Sequence, residues 1–526
     1  MSSAAIVFLG AIAPGLISSG SGLALLRVPL EALLALVILA VLPRGSASRV
    51  VASLAAIVFV ATIVSAALDR GFLSVLGRPV NVVSVWPELV SAYGVLSDST
   101  APAVAAVIVG LLVLAVAVVV LVLTRALLQL AEVIRGRARA RRIGATAIAA
   151  GWIVLAVVGA QVVPGLPVAA ADSVRMTMAK VDQVTTAASD VAAIERAATI
   201  DDFEKVQASD LLGGLKGKDV IIAFIESYGQ VAVQDTAFSK GVTDVLLKGT
   251  ADLAAHGYSN RSAFLSSSTF GGASWLAHST LQTGLWIDSQ HIYDQVTSGS
   301  RLTLSAAFKK AGWRTVGVAP SNSRPWPIGE SFYRFDFMAD SQNMGYQGPR
   351  FSYARMPDQF TWAYFQKNEL AEPHPPVMAE IAFVSSHHPW TPLPYEVPWE
   401  SIRDGSIFDP QPAQGLAPTV VWQSEEQVQQ LYGQSIEYSM SVVFSFLTTF
   451  DNPNLVVIVL GDHQPASVVS GLDANHAVPI SIISKDPSVI DRIASWGWDP
   501  GMLPSPDAPL WRMDEFRDRF LTAFRQ

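Results

Sequence analysis

Long uninterrupted apolar runs fill the first third of this chain, and shorter apolar runs broken by polar turns fill the rest. Residues 51–68, 104–123 and 143–163 are uncharged and close to the roughly 20 residues a helix needs to cross a bilayer. Residues 28–42 form a fourth run, interrupted only by Glu31, and residues 4–17, with Pro14 inside, form a shorter fifth. The pattern predicts an α-helical transmembrane domain of four to five spans over residues 1–168. Residues 169–218 have few breakers and read as a helical stalk or linker. From residue 219 the runs shorten to strand length and alternate with helical patterns: strands over 219–225, 314–318, 377–384, 455–460 and 478–483, and helices over 243–256 and 434–450. Such alternation predicts an α/β domain over 219–526 with a parallel, doubly wound sheet, and the Pro- and Gly-rich residues 389–418 read as a loop over the strand ends.

Charge separates the same two parts. Residues 1–170 hold 11 basic and 5 acidic side chains of the totals 36 and 44, leaving 25 and 39 for the rest, so the front is net +6 and the remainder −14. Arg125, Arg135, Arg137, Arg139, Arg141 and Arg142 lie between the last two apolar runs with only Glu132 against them. Basic loops stay cytoplasmic, so this loop is expected inside and everything after Pro164 outside the cell membrane, as the extracytoplasmic part of a multi-pass protein. An acidic outer domain argues against nucleic acid as a partner, because backbone phosphates are bound by basic surfaces. The chain has no cysteine, which removes disulfides, thiolate metal sites and cysteine nucleophiles together. Arg27 and Glu31 stand close enough to a span end to snorkel to the interface.

Candidate chemistry gathers where strands end. Asp462 and His463 follow the apolar run 455–460, Glu226 follows 219–225, and His387 and His388 follow 377–384. Open α/β sheets place ligands outside the carboxyl ends of their strands, and carboxylate and imidazole suit a hard-to-borderline divalent ion. In STFGGASWLAHSTLQTG a Gly-Gly turn precedes Ser274 and a helical pattern follows it. A helix N-terminus favours an anion, so Ser274 is the nucleophile candidate; His278, four residues on, shares its helix face.

These residues together resemble the sulfatase and alkaline phosphatase superfamily, and the membrane layout narrows the likeness to the lipoteichoic acid synthase-like phosphoglycerol transferases. The resemblance implies one divalent metal (Mn, Mg or Zn) held by Glu226, Ser274, Asp462 and His463, and a covalent phospho-intermediate on Ser274. The interval from Ser274 to Thr283 and Gly284 matches the frame sulfatases share. Sulfatases, however, need Pro and Arg two and four residues after the nucleophile to form formylglycine, and this chain has Leu276 and His278 there. By the same resemblance His387, His278 and His476 are expected to contact substrate, with Trp326 and Arg324 similar to the Trp and Arg that cradle a glycerophosphate head.

The implied activity is transfer of a phosphoglycerol-type or phosphoethanolamine-type group from a membrane phospholipid donor to an envelope glycan or lipid acceptor. Two alternatives stand beside it: an extracytoplasmic phosphodiesterase or sulfatase-type hydrolase, and a non-catalytic module that binds envelope lipids. The last is disfavoured because all four metal-site positions keep competent side chains. For Ser274 the plainer role is a helix cap, which Ser fills well.

Overall fold

The computed structural model describes residues 2–525 apart from 77, 84, 87, 88, 91, 92, 94–96, 98–101, 136–139, 165, 235 and 372. The chain divides into two compact units, Met1–Leu73 with Arg78–Asp190, and Ser74–Gly77 with Val191–Gln526.

In the first unit the apolar runs become helices α1 (Ser3–Ser19), α2 (Leu30–Val41), α3 (Ser46–Leu76), α4 (Pro102–Arg135) and α5 (Ala140–Val158). Among the described residues two helices, Ser46–Ser74 and Pro102–Arg135, are long and apolar enough to cross a membrane. At about 1.5 Å per residue, α2 with its 12 residues falls well short of the roughly 30 Å hydrocarbon layer. The apolar parts of α1 and α5, Ser3–Ser19 and Ala147–Val158, are short as well. The length criterion is thus met by two of the four to five expected spans. Leu111, Leu112 and Val113 of α4 are exposed, a surface that suits an apolar environment rather than water.

Several polar side chains among the described residues of this unit are paired internally. Arg27 is buried and forms a two-toothed ion pair with Asp172, Nη1 to Oδ2 at 2.7 Å, while Glu31 accepts from the Val174 amide at 3.1 Å. Both residues therefore have structural partners. Arg135 donates to the Leu42 carbonyl and to the Ser48 hydroxyl, each at 2.8 Å. Arg137 and Arg139 of the arginine-rich loop lie outside the described residues. The expected stalk becomes a helix over Asp172–Thr199, α6, followed by irregular chain with short 3-10 turns.

The second unit is built on one nine-stranded sheet: β1 (Asp219–Ile225), β2 (Ser259–Ser266), β3 (Arg314–Ala319), β4 (Phe337–Asp340), β5 (Val377–Ala382), β6 (Leu455–Gly461), β7 (Ala477–Ser484), β8 (Asp499–Pro500) and β9 (Leu510–Arg512). The spatial order is β8-β2-β7-β6-β1-β5-β3-β4, with β9 also on β2. Helices α7 (Ser239–Ala255), α8 (Ser274–Thr283), α9 (Asp358–Asn368) and α10 (Glu425–Phe450) flank it. Strands β1, β6 and β7 are buried along their whole length, which explains their unbroken apolar sequences: both faces of the sheet are covered. Ile221, Ala223 and Ile225 of β1 join one core with α7, α9 and α10, whereas Val220, Ile222 and Phe224 join a second core with Leu276 and Leu281 of α8. The period-2 alternation of a strand thus feeds two layers.

One expectation needs correction. The sheet is mixed rather than wholly parallel, because β7 runs antiparallel to both β6 and β2. A parallel return needs a crossover of a dozen or more residues, normally with a helix. Residues 462–476 between β6 and β7 are long enough for that, but their one helix, Ser467–Ser470, is a single turn and cannot carry a crossover, so the chain doubles back beside β6. The reversal brings the start of β7, and His476 before it, to the edge where the parallel strands end. Residues 389–418 are loop with short 3-10 turns, as expected.

Candidate active site

Register places the first two functional side chains. Strands β1 and β6 are parallel neighbours with Ile225 paired to Gly461, so Glu226 and Asp462 leave the sheet side by side. Ser227 takes a left-handed conformation (φ 57°), and its amide donates to Asp462 Oδ1 at 2.7 Å; the His463 amide donates to the same oxygen at 2.8 Å. The two strand ends are locked together by one carboxylate oxygen.

Gly461 makes this approach possible. A Cβ at this position would stand 1.9 Å from the carbonyl oxygen of Tyr228, a backbone atom that cannot swing aside. Gly461→Ala is therefore expected to cost about 1–3 kcal/mol, as overpacking does, and to separate Glu226 from Asp462. Thermal unfolding of the full chain checks this: a melting temperature equal to the parent's would show that the two turns are not in close contact.

His463 is fully buried, and its Nδ1 lies 2.8 Å from the Gln464 carbonyl. That bond assigns the proton to Nδ1 and leaves the Nε2 lone pair facing Ser274 Oγ at 3.3 Å, Glu226 Oε1 at 3.4 Å and Asp462 Oδ2 at 3.4 Å. Ligand atoms of Glu226, Asp462 and His463 all lie within 4.8 Å of one another. Burial first, and then the Glu226 charge, push the Asp462 carboxyl above its ordinary pKa. Two crowded carboxylates and an imidazole nitrogen are a donor set that fits a divalent cation, which would relieve their repulsion.

Ser274 reaches this cluster from α8. Gly271, Gly272 and Ala273 all have positive φ (67°, 158° and 62°), turning the chain sharply into the helix. The N-cap is Ala273, which offers no side-chain bond; the Leu276 amide bonds the Ala273 carbonyl at 2.9 Å, and the Ser274 and Trp275 amides before it are suited to receiving an anion. Ser274 is the first helical residue, and its hydroxyl lies 3.2 Å from Glu226 Oε2 and 3.3 Å from His463 Nε2. It therefore does not cap its own helix. At the far end Gly284 (φ 64°) closes α8 with its amide on the Thr280 carbonyl at 3.0 Å.

A cavity of about 530 Å³ opens beside Ser274. His278, His387, His388 and Trp326 line it, whereas Arg324 and His476 are not among its lining residues. Arg324 is exposed to solvent. His476 Nδ1 sits 3.1 Å from the Ser267 carbonyl, beside β2. The His387 ring stacks on Tyr353 at 3.7 Å, and its Nδ1 bonds the His388 carbonyl at 2.6 Å. Burial lowers the His387 pKa to about 4, so this imidazole is neutral at neutral pH. His278 Nδ1 bonds Glu380 Oε1 at 3.0 Å. Glu380 and Tyr353 also line the cavity and belong to none of the motifs named above. Glu380 carried a signal all the same, as one charged residue inside the apolar strand VMAEIA.

Residues 256–480 match the sulfatase family model, an interval that contains Ser274, Asp462 and His463 but not Glu226. No curated protein matches the chain in sequence. Among solved structures, the lipoteichoic acid synthase LtaP from Listeria monocytogenes aligns at 13% identity over 55% of this chain and 71% of that one, with a TM-score of 0.35. The C-terminal periplasmic domain of EcEptC from Escherichia coli, in complex with Zn, aligns at 15% identity over 57% and 80%, with a TM-score of 0.37. The Streptococcus pyogenes phosphoglycerol transferase GacH, in complex with sn-glycerol-1-phosphate, aligns at 13% identity over 64% and 91%, with a TM-score of 0.35. The likeness to the sulfatase family thus lies within the α/β unit, over residues 256–480.

Proposed function

We propose that this chain is a membrane-anchored, metal-dependent phosphotransferase that moves a phosphoglycerol-type group from a phospholipid to an acceptor in the cell envelope. The observation that carries the reading is the placement of Ser274. Its hydroxyl stands at an uncapped helix N-terminus, between Glu226 and His463, at the edge of a cavity of about 530 Å³. Ser274 Oγ attacks the phosphorus of the donor, the bond from phosphorus to the diacylglycerol oxygen breaks, and the serine proton leaves with that alcohol. An acceptor hydroxyl then displaces Ser274 from phosphorus and returns its proton. Glu226, Asp462 and His463, with Ser274, would hold one divalent ion, which supplies activation of the hydroxyl and withdrawal of charge from the phosphoryl oxygens. Amides of the first turn of α8 orient the anionic group toward Ser274.

Leu276 and His278 support transfer over sulfate hydrolysis, since they stand where formylglycine formation needs Pro and Arg. Leu276 is buried in the core. The apolar helices support a lipid donor, and a multi-pass layout with the α/β unit outside the cytoplasm would bring the site to the envelope. Incubating the full chain in detergent with fluorescent phosphatidylglycerol and Mn or Mg is expected to release diacylglycerol, while aryl sulfates stay intact. Formylglycine at position 274, or turnover of aryl sulfates without diacylglycerol release, would replace this reading by the hydrolase.

A further inference from the structure

Among the described residues that line the cavity there is no lysine or arginine, although the substrate proposed above is an anion. The cavity does contain a buried carboxylate. Glu380, 7% exposed on β5, places Oε1 at 3.0 Å from His278 Nδ1 and accepts at Oε2 from the side-chain Nε2 of Gln282 at 2.6 Å. Gln282 is in turn fixed by accepting from the Ser305 amide at 2.9 Å. A carboxylate so enclosed is costly unless a cation faces it, and Gln282 is neutral. His278 is the contacting group that can carry the charge. Its ring lies flat on Phe224, with centroids 3.7 Å apart and planes 13° from parallel, so its orientation is set from two sides. With Nδ1 on Glu380, Nε2 is the nitrogen left for a ligand. Ser274 and His278 occupy the same face of α8, four residues apart.

We propose that Glu380, braced by Gln282, is a positioning residue that holds His278 as the cation of the cavity, and that the Nε2–H of His278 receives a phosphoryl oxygen of the substrate beside Ser274. The proposal rests on the reading of Ser274 as phosphoryl acceptor. The charge balance agrees with it: burial opposes protonation of His278, but the hydrogen bond and charge of Glu380, with smaller contributions from Asp462 and Glu226, leave its pKa above the ordinary value. The pair thereby replaces the basic side chain that the cavity wall lacks.

The test is binding of inorganic phosphate to the full-length, Mn-loaded protein in detergent, followed by calorimetry. Glu380→Gln keeps the shape and removes the charge, and should weaken phosphate about tenfold or more, the worth of one charge-assisted bond. In a His278→Gln background the same substitution should change affinity less than about twofold, because Glu380 acts through His278. A purely structural Glu380 would instead cause a further loss in that background. Parent-like phosphate affinity in Glu380→Gln, a second tenfold loss in the double variant, or no saturable phosphate binding to the parent would each overturn the proposal. Should Glu380→Gln fail to fold, His278→Gln alone decides, and parent-like affinity there overturns it as well. A chain that fails to cleave phosphatidylglycerol would refute the lipid donor and leave these phosphate affinities in place.

Discussion

Ser274→Ala is expected to abolish both diacylglycerol release and the covalent adduct, with turnover falling by about 10⁴-fold or more, as happens when an attacking oxygen is removed. The geometry makes the loss specific. Ser274 is the first residue of α8 and does not cap it, since Ala273 holds the N-cap position without a side-chain bond. Loss of the hydroxyl therefore removes contacts to Glu226 and His463 while the helix stays intact. Ser274→Thr should retain part of the activity, because the hydroxyl survives and only a methyl group is added. Mass spectrometry of the peptide around residue 274 after exposure to donor lipid reads the adduct directly. Diacylglycerol release persisting in Ser274→Ala would show that water or another residue attacks phosphorus.

The second large effect concerns Asp462. In the parent, a divalent metal at about 100 times its Kd should stabilise the fold by about 2.7 kcal/mol through mass action. Asp462→Asn should eliminate that gain while keeping an oxygen for the Ser227 and His463 amides, which lie 2.7 and 2.8 Å from Oδ1. Without metal the variant should unfold no earlier than the parent, because Asp462 is buried beside Glu226 and its charge is a burden there. Asp462→Ala should fare worse, since two buried amides would lose their acceptor at about 1–3 kcal/mol each. Differential scanning calorimetry with and without Mn separates these cases. An Asp462→Asn protein that gains the parent's full stabilisation from Mn would remove Asp462 from the proposed ligand set.

Much of the candidate site is legible in the sequence because its parts are local signals. An apolar run of strand length followed by a carboxylate or imidazole marks the end of a buried strand, as in 219–226 and 455–463. A Gly-Gly turn before a helical pattern marks the entrance of α8. What stayed hidden was partnership. Glu380 reads locally as an oddity in β5 and acquires meaning only from His278 and Gln282, about 100 residues away along the chain. Arg324 matched a motif in residue type alone, yet the fold leaves it in solvent and gives the cavity wall to Trp326.

The amino-acid sequence by itself determined the division into apolar helices and an α/β part, the identity of the buried strands, and the residue types able to hold a metal and attack phosphorus. These follow from periodicity and side-chain chemistry, which act over a few residues. Only the tertiary structure decided that β7 runs antiparallel, that a Cβ at position 461 would stand 1.9 Å from a backbone oxygen so that only Gly fits there, and that Ser274 meets Glu226 48 residues before it and His463 189 residues after it. Periodicity states which face of a strand is buried and not which strand lies beside it. That choice is made by packing between segments far apart in the chain.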